Sequence, residues 1–155
     1  MRLPTIQEIR LAKARKSLAY FTTYTKPDYL MGWVHREICD ALDKFLDDVR
    51  AKRSPRLIIT MPPRSGKSEL VSRRFPAYAF GRFPDLQIIA TSYSADLSQR
   101  FNRDVQRIID DEKYQEIFPE TTLNGSRVRT DSLWRLSLMR RRRRYYGPRR
   151  RLPTH

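Results

Sequence analysis

The sequence predicts an α/β fold in which a parallel sheet is flanked by helices. Two short apolar runs, residues 57–60 and 86–91, have the β-branched composition of buried strands. Each run is followed by a segment with helical character, which gives a strand–helix–strand–helix order. Strands in this order are joined by right-handed helical crossovers. We therefore expect both runs to contribute to one parallel sheet.

Two helices are predicted before the first strand. Thr5 and Glu8 match a capping box, which predicts a helix over about residues 6–20. A second helix is predicted over about residues 33–51, because its apolar residues recur at spacings of three and four. Residues 21–31, which contain a proline and several aromatic residues, are predicted to be irregular. Together these elements form the predicted N-terminal helical segment, residues 1–52.

The second predicted unit, residues 53–122, contains the two strands and two further helices. The first helix is expected over residues 66–75, with Pro76 ending or kinking it. The second is expected over residues 95–111, with Ser94 as its N-cap and an apolar stripe along one face.

The composition is strongly basic, and most of the charge lies near the C-terminus. The chain is 39% hydrophobic and 32% charged, with a net charge of +15. Eleven arginines and one acidic residue lie from Ser126 onward, without a lysine. Such a charge run predicts that residues 123–155 form an irregular, disordered tail, and it indicates a polyanionic partner such as nucleic acid. Two explanations are open: an arginine-rich binding tail, or a frameshift near residues 134–140.

Cysteine and hydropathy patterns exclude several classes of protein. Cys39 is the single cysteine, which excludes an internal disulfide and fits a reducing cytoplasm. Its position in a predicted helix indicates an inert, partly buried thiol. With His35 and His155 as the two histidines, a Cys/His metal cluster is excluded. No stretch approaches the about 18 apolar residues of a membrane span, and no signal peptide is expected.

The most informative segment is the loop after the first strand. Gly66-Lys67-Ser68 follows a predicted strand and opens a predicted helix, which is the context of a phosphate-binding loop. Loop N–H groups and the helix N-terminus favour an anion, while a lysine adds a mobile cation and a serine hydroxyl can bind Mg²⁺. The motif is imperfect, because Met61 replaces a glycine and two prolines follow it. The alternative is a solvated basic turn.

Three strings of residues resemble one known family. They are His35-Arg36-Glu37-Ile38-Cys39, the run from Met61 to Glu69, and Ala90 to Ser94. Across about residues 20–122 the chain resembles the large subunit of tailed-phage terminases. These are DNA-packaging motors with an N-terminal P-loop ATPase domain and a nuclease domain. The resemblance implies ATP, Mg²⁺ and double-stranded DNA as ligands, the portal and small terminase subunit as partners of the full-length protein, and the cytoplasm of a bacterial host.

The resemblance also implies roles for individual residues. Lys67 would contact the β- and γ-phosphates, and Ser68 would bind Mg²⁺. Arg64 would reach the γ-phosphate, although a surface cation is an equally open interpretation. Trp33 and His35 would lie on the adenine side, or serve as a hydrophobic anchor and a helix-start residue. The expected catalytic residues are Lys67 and Arg64, the expected metal ligand is Ser68, and the expected nucleotide-binding residues are Pro63, Arg64, Ser65, Gly66, Lys67, Ser68, Glu69, Trp33 and His35.

A working ATPase of this class also needs an apolar strand that ends in an acid for Mg²⁺ and a glutamate that activates water. Asp110-Asp111-Glu112 follows two isoleucines, but it continues a helical stripe, and we reject it as that strand. The resemblance implies that residues 53–122 are a truncated P-loop ATPase core, and we expect the nuclease domain to be absent from this sequence. Three hypotheses follow: an N-terminal terminase fragment that binds ATP without hydrolysing it alone, a non-specific nucleic-acid-binding basic protein, or an inactive prophage remnant.

Overall fold

The computed structural model of the chain describes residues 2–123, 134–135 and 138–140, and the last two ranges as backbone only. Within these ranges most residues are helical. The helices are α1 Ile6–Lys16, α2 Leu18–Thr25, α3 Trp33–Arg50, α4 Lys67–Glu69, α5 Phe75–Arg82, α6 Ala95–Asp110 and α7 Glu112–Ile117, with a π-helical segment Leu70–Arg74 between α4 and α5. The strands are β1 Ile89–Ala90, β2 Thr121–Leu123, β3 Trp134–Arg135 and β4 Leu138–Arg140.

Among the residues that the structure describes, the predicted parallel sheet is not formed, so the prediction of a P-loop NTPase fold with a parallel sheet is wrong. Strand β1 pairs antiparallel with β3, and β2 pairs antiparallel with β4; these are the pairings within the described residues. Residues 57–60 form neither a helix nor a paired strand, and the Ile58 side chain is 88% exposed. Apolar β-branched composition reports how a residue fits a strand surface and does not identify a partner strand. The two apolar runs therefore look like strands but do not meet.

The predicted capping box of α1 is confirmed, whereas the predicted irregular chain after Tyr20 is partly wrong. The Thr5 hydroxyl accepts from the Glu8 N–H at 3.2 Å, and the Glu8 carboxylate accepts from the Thr5 N–H at 2.6 Å. Helix α2 nevertheless continues to Thr25. Its Leu18 and Phe21 side chains are completely buried. Tertiary packing of this kind stabilises helices that propensity alone does not favour.

The predicted helix end near Pro76 is also wrong, because α5 continues to Arg82. Pro76 lies in the first turn of α5, where a missing N–H is tolerated. The side chains from Pro76 to Phe80 are all buried, which favours the continued helix.

Helix α6 confirms two predictions made from the second half of the sequence. Ser94 caps the helix by accepting from the Leu97 N–H at 3.5 Å. Asp110 is the last residue of α6, and Asp111 caps α7 by accepting from the Lys113 N–H at 2.9 Å. These acids therefore lie at a helix–helix junction and not at the end of a strand.

The core is an aromatic cluster shared by early and late helices. Phe21 of α2 lies with its ring centroid 5.4 Å from Tyr78 of α5 and 6.0 Å from Tyr114 of α7. Phe118 packs against all three rings, and the buried Tyr114 hydroxyl donates to the Ala77 carbonyl at 3.0 Å. The N-terminal helices and the later helices thus share one hydrophobic core. The domain boundary predicted at residue 52 stays a prediction.

The structure describes both the single cysteine and the apolar character of the helices. Cys39 is completely buried, and burial raises the pKa of its thiol to about 12, so the group stays protonated and inert. Within the described part of the chain, no helix combines the length and the apolar character needed to cross a membrane. The predicted disorder after residue 123 concerns residues that lie mostly outside the described ranges.

Candidate phosphate-binding loop

The loop at residues 62–66 links residues 57–61, which have no strand pairing, to α4 through two left-handed residues. Arg64 has a φ of 62° and Gly66 a φ of 79°. The Ser65 hydroxyl donates to the Pro62 carbonyl at 2.7 Å and closes the turn. Gly66 suits this position for two reasons: its φ of 79° strains other residues, and an added Cβ would lie 3.0 Å from the Tyr29 hydroxyl, which would have to shift. The loop is therefore tightly determined.

Backbone donors gather where the helix begins. Lys67 is the first residue of α4, and the Leu70 N–H donates to the Gly66 carbonyl at 3.2 Å. In the described structure the N–H groups of Lys67 and Ser68 have no backbone acceptor, as is usual in the first turn of a helix. A left-handed residue followed by a right-handed one, as at Gly66 and Lys67, forms a concavity of N–H groups that favours anions. Lys67 is half-buried and Ser68 is exposed at this position.

His35 joins the start of α3 to this loop. Its Nδ1 accepts from the Gly32 N–H at 3.1 Å, and its Nε2 lies 2.8 Å from the Ser65 carbonyl oxygen. Because Nδ1 accepts, the neutral ring carries its proton on Nε2, which donates to Ser65. His35 therefore acts as a helix-start residue and also holds the loop. The role on the adenine side that the resemblance implies stays a prediction.

Tyr29 is a loop contact that the sequence analysis missed. Its hydroxyl donates to the Gly66 carbonyl at 3.4 Å, and its ring packs edge-on against His35 at a centroid distance of 5.4 Å. Burial raises the pKa of Tyr29 to about 12, so its hydroxyl remains a hydrogen-bond donor at neutral pH. The available signal was an aromatic residue in the connection just before α3.

Glu69 is engaged in ion pairs on the helix that follows the loop. Its carboxylate lies 2.9 Å from the Arg74 guanidinium and 3.4 Å from that of Arg73. Arg73 also pairs with Asp104 of α6 at 2.7 Å, and Arg74 donates to the Thr25 hydroxyl at 3.0 Å. These half-buried pairs fasten the helical run to α6 and α2. The contribution of Glu69 to nucleotide binding stays a prediction.

Arg64 and Trp33 differ in their positions. Arg64 is exposed in the loop and forms no ion pair with any described residue. Trp33 is 78% exposed and lines a depression of about 340 Å³ together with Ile38 and residues 57–61. The structure therefore brings His35 and the loop residues from Pro63 to Ser68 together, while Trp33 borders an apolar surface beside the unpaired segment.

A comparison with protein-family models identifies the family. Residues 58–144 match the model of the N-terminal part of the terminase large subunit, T4likevirus-type. The chain belongs to this family. The match covers more than half of the chain and includes the whole loop, whereas Tyr29 and His35 precede it. A search of curated proteins and a search of solved structures returned no match.

Membership of the terminase family confirms the resemblance that the loop motif indicated. It suggests a role in phage DNA packaging. The matched range also includes residues 134–140, where the frameshift is predicted, and the backbone of β3 and β4 lies there. The frameshift itself stays a prediction.

Proposed function

We propose that this terminase-family chain acts in phage DNA packaging by binding ATP at residues 62–68. The observation that supports this most directly is the left-handed Gly66 placed immediately before Lys67, at the first residue of a helix. That geometry presents backbone donors and a lysine to the same point. Solvated basic turns need neither the left-handed glycine nor the packing of His35 and Tyr29 behind the loop.

The residues present fit a magnesium–nucleotide complex. Lys67 would contact the β- and γ-phosphates, and the exposed Ser68 hydroxyl would bind the metal ion. No group of three His, Cys, Asp or Glu side chains in the described residues could hold a metal by itself. Bound Mg²⁺ would neutralise phosphate charge, and the chain would hold it through Ser68 together with the nucleotide. Arg64 is the remaining cation of the loop and would face the terminal phosphate.

Binding without hydrolysis is the expected behaviour of this chain alone. Asp110 ends α6 and Asp111 caps α7, so the acids that follow the isoleucines are used as helix boundaries. A water-activating acid on a strand is therefore not supplied by this segment. A steady-state assay should give the same ATP turnover for the wild type and for Lys67→Ala.

The test of ATP binding compares two lysines with equal charge change. A fluorescent ATP analogue with Mg²⁺ should bind the wild type and Lys44→Ala alike, because Lys44 is exposed on α3. Lys67→Ala should bind about tenfold more weakly or worse, since a charge-assisted contact is lost. Its far-UV circular dichroism should not change. Equal affinity of Lys67→Ala and the wild type would remove the phosphate-loop proposal.

Ser68 gives an independent measure of the metal. Chelation of Mg²⁺ should weaken nucleotide binding by the wild type, and Ser68→Ala should reduce the difference between binding with and without Mg²⁺. The same Mg²⁺ effect in Ser68→Ala and the wild type would argue against this serine as a metal ligand. The other hypothesis, nucleic-acid binding by Arg140–Arg144 and Arg149–Arg151, concerns side chains outside the described residues.

A further inference from the structure

A second surface, the α1 groove, lies away from the phosphate loop. It is an open groove of about 700 Å³ formed by α1, α2, the connection after α2 and the start of α7. The side chains that matter below are Ile6, Ile9, Arg10, Lys13, Tyr20 and Lys113. Nothing in the proposed nucleotide site uses them.

The floor of the α1 groove exposes large apolar side chains. Ile6 is 72% exposed, Ile9 is 42% exposed and Tyr20 is 48% exposed. Leu3, just before α1, is also exposed. Single exposed apolar residues are ordinary, but several in one concave surface indicate a place where another chain packs.

The rim of the groove is cationic. Arg10 and Lys13 lie on α1, and Lys113 lies on α7 across the groove. Among the described residues none of the three forms an ion pair. Lys13 instead places its ammonium 5.2 Å from the centre of the Tyr20 ring.

Four acids accompany these cations: Glu8 on α1, Asp111 and Glu112 directly before Lys113, and Glu116 on α7. The Glu8 carboxylate accepts from the Thr5 N–H and pairs with Arg2 at 3.5 Å. The Glu116 carboxylate accepts a short hydrogen bond from the hydroxyl of Tyr24, a groove residue. The positive charge of the rim is therefore carried mainly by Arg10 and Lys13 of α1, and this side of the groove is complementary to an acidic partner.

The groove is preformed because α1 is fixed at both ends. The capping box at Thr5 orders its first turn. Near its C-terminus Ala14 is buried, and Arg15 donates from Nε to the Ile117 carbonyl at 2.7 Å. A preorganised surface loses little conformational entropy on binding.

We propose that the α1 groove binds an acidic, amphipathic helical segment of a partner protein. Its apolar stripe would cover Ile6 and Ile9, and its acids would face the three cations. A second copy of this chain is disfavoured because each copy carries a net charge of +15, and the chain's own arginine-rich tail is disfavoured for the same reason. Nucleic acid is disfavoured because Lys13 covers the Tyr20 ring and the isoleucines offer no stacking surface.

The test uses a fluorescein-labelled synthetic helix of about 16 residues, roughly the length of α6. Leucines occupy positions i, i+3, i+4 and i+7, and the remaining positions are mainly glutamate. A scrambled peptide of the same composition carries no stripe. Anisotropy at low salt should show binding of the striped peptide to the full chain, weaker binding of the scrambled one, and weakening of both by salt.

Two double variants and one single control variant locate the binding. Arg10→Glu/Lys113→Glu should bind the striped peptide about tenfold more weakly, because two attractions become repulsions. Ile6→Ser/Ile9→Ser should also bind about tenfold more weakly, because buried apolar contact is lost. All four residues are exposed, so folding should be retained. Lys44→Glu, a charge reversal elsewhere, should bind like the wild type.

Several results would overturn the proposal. These are no detectable binding of the striped peptide, equal binding of the scrambled peptide, or wild-type affinity in either double variant. If a single-stranded oligonucleotide displaces the peptide and binds Ile6→Ser/Ile9→Ser as well as the wild type, the face is a nucleic-acid surface instead. Each outcome is independent of whether Lys67 binds ATP.

Discussion

Replacing His35 with alanine tests whether this side chain prepares the phosphate loop or merely starts a helix. The ring makes two hydrogen bonds, one from the Gly32 N–H to Nδ1 at 3.1 Å and one from Nε2 to the Ser65 carbonyl at 2.8 Å. Alanine removes both. Glutamine at the same position can still accept from one backbone group and donate to another, so His35→Gln is the conservative control.

The expected magnitudes differ for stability and for binding. Each lost bond is worth about 0.5–1.5 kcal/mol net, so His35→Ala should lower the free energy of unfolding by about 1–3 kcal/mol. The bond to Ser65 also favours the loop conformation that binds phosphate. Losing about 1 kcal/mol of that preference lowers the competent fraction and weakens ATP affinity by up to about fivefold.

The assay titrates a fluorescent ATP analogue with Mg²⁺ into the wild type, His35→Ala and His35→Gln. The temperature is one at which circular dichroism shows every variant to be folded, because lower stability alone then leaves affinity unchanged. Urea unfolding of the same samples reports stability. We expect alanine to lower both quantities and glutamine to restore part of each.

One combination of results would refute the reasoning about His35. If His35→Ala is less stable but binds like the wild type, while Lys67→Ala does not bind, then His35 only starts the helix. If Lys67→Ala also binds like the wild type, the nucleotide site itself is wrong, which is a different failure.

Three further predictions concern the fold. Gly81→Ala should destabilise the chain by about 1–2 kcal/mol, because a Cβ would lie 2.2 Å from the Phe118 ring and this overpacking outweighs the gain in helix propensity. Urea unfolding measures the free energy of unfolding, and an unchanged value would contradict the packing of Gly81 against Phe118. Burial raises the pKa of Asp43 above its ordinary value of 3.8, even though the Asp43 carboxylate accepts from the Leu18 N–H at 3.0 Å. Ionising this carboxyl group therefore costs more in the folded protein than in the unfolded chain, and the protein loses stability as the pH rises above 3.8. The free energy of unfolding of Asp43→Asn, relative to that of the wild type, should therefore be higher at pH 7 than at about pH 4. The same difference between the two proteins at both pH values would refute this prediction. Ile58→Lys should keep the chain monomeric to higher concentration in light scattering, because an exposed apolar side chain in a segment without strand pairing invites association. Unchanged association would show that this segment is not the contact.

Local chemistry in the sequence was sufficient for several features of the structure. The capping box at Thr5, the start of α3 at Trp33 and the cap at Ser94 each depend on residues within one helical turn. The loop motif likewise predicted where a helix would begin after Gly66. Interactions over three or four residues can be read from the chain order, because the partners are always close.

Only the tertiary structure decided which distant segments of the chain contact one another. Ile58 and Ile89 lie in apolar stretches of similar composition, yet they are not paired with each other, since strand pairing depends on which segments come together. Helix α2 is helical because Phe21 packs against Tyr78, and the loop is held by Tyr29 and His35 from the N-terminal segment. Contacts across tens of residues are set by the packing of the whole core, and no local pattern records them.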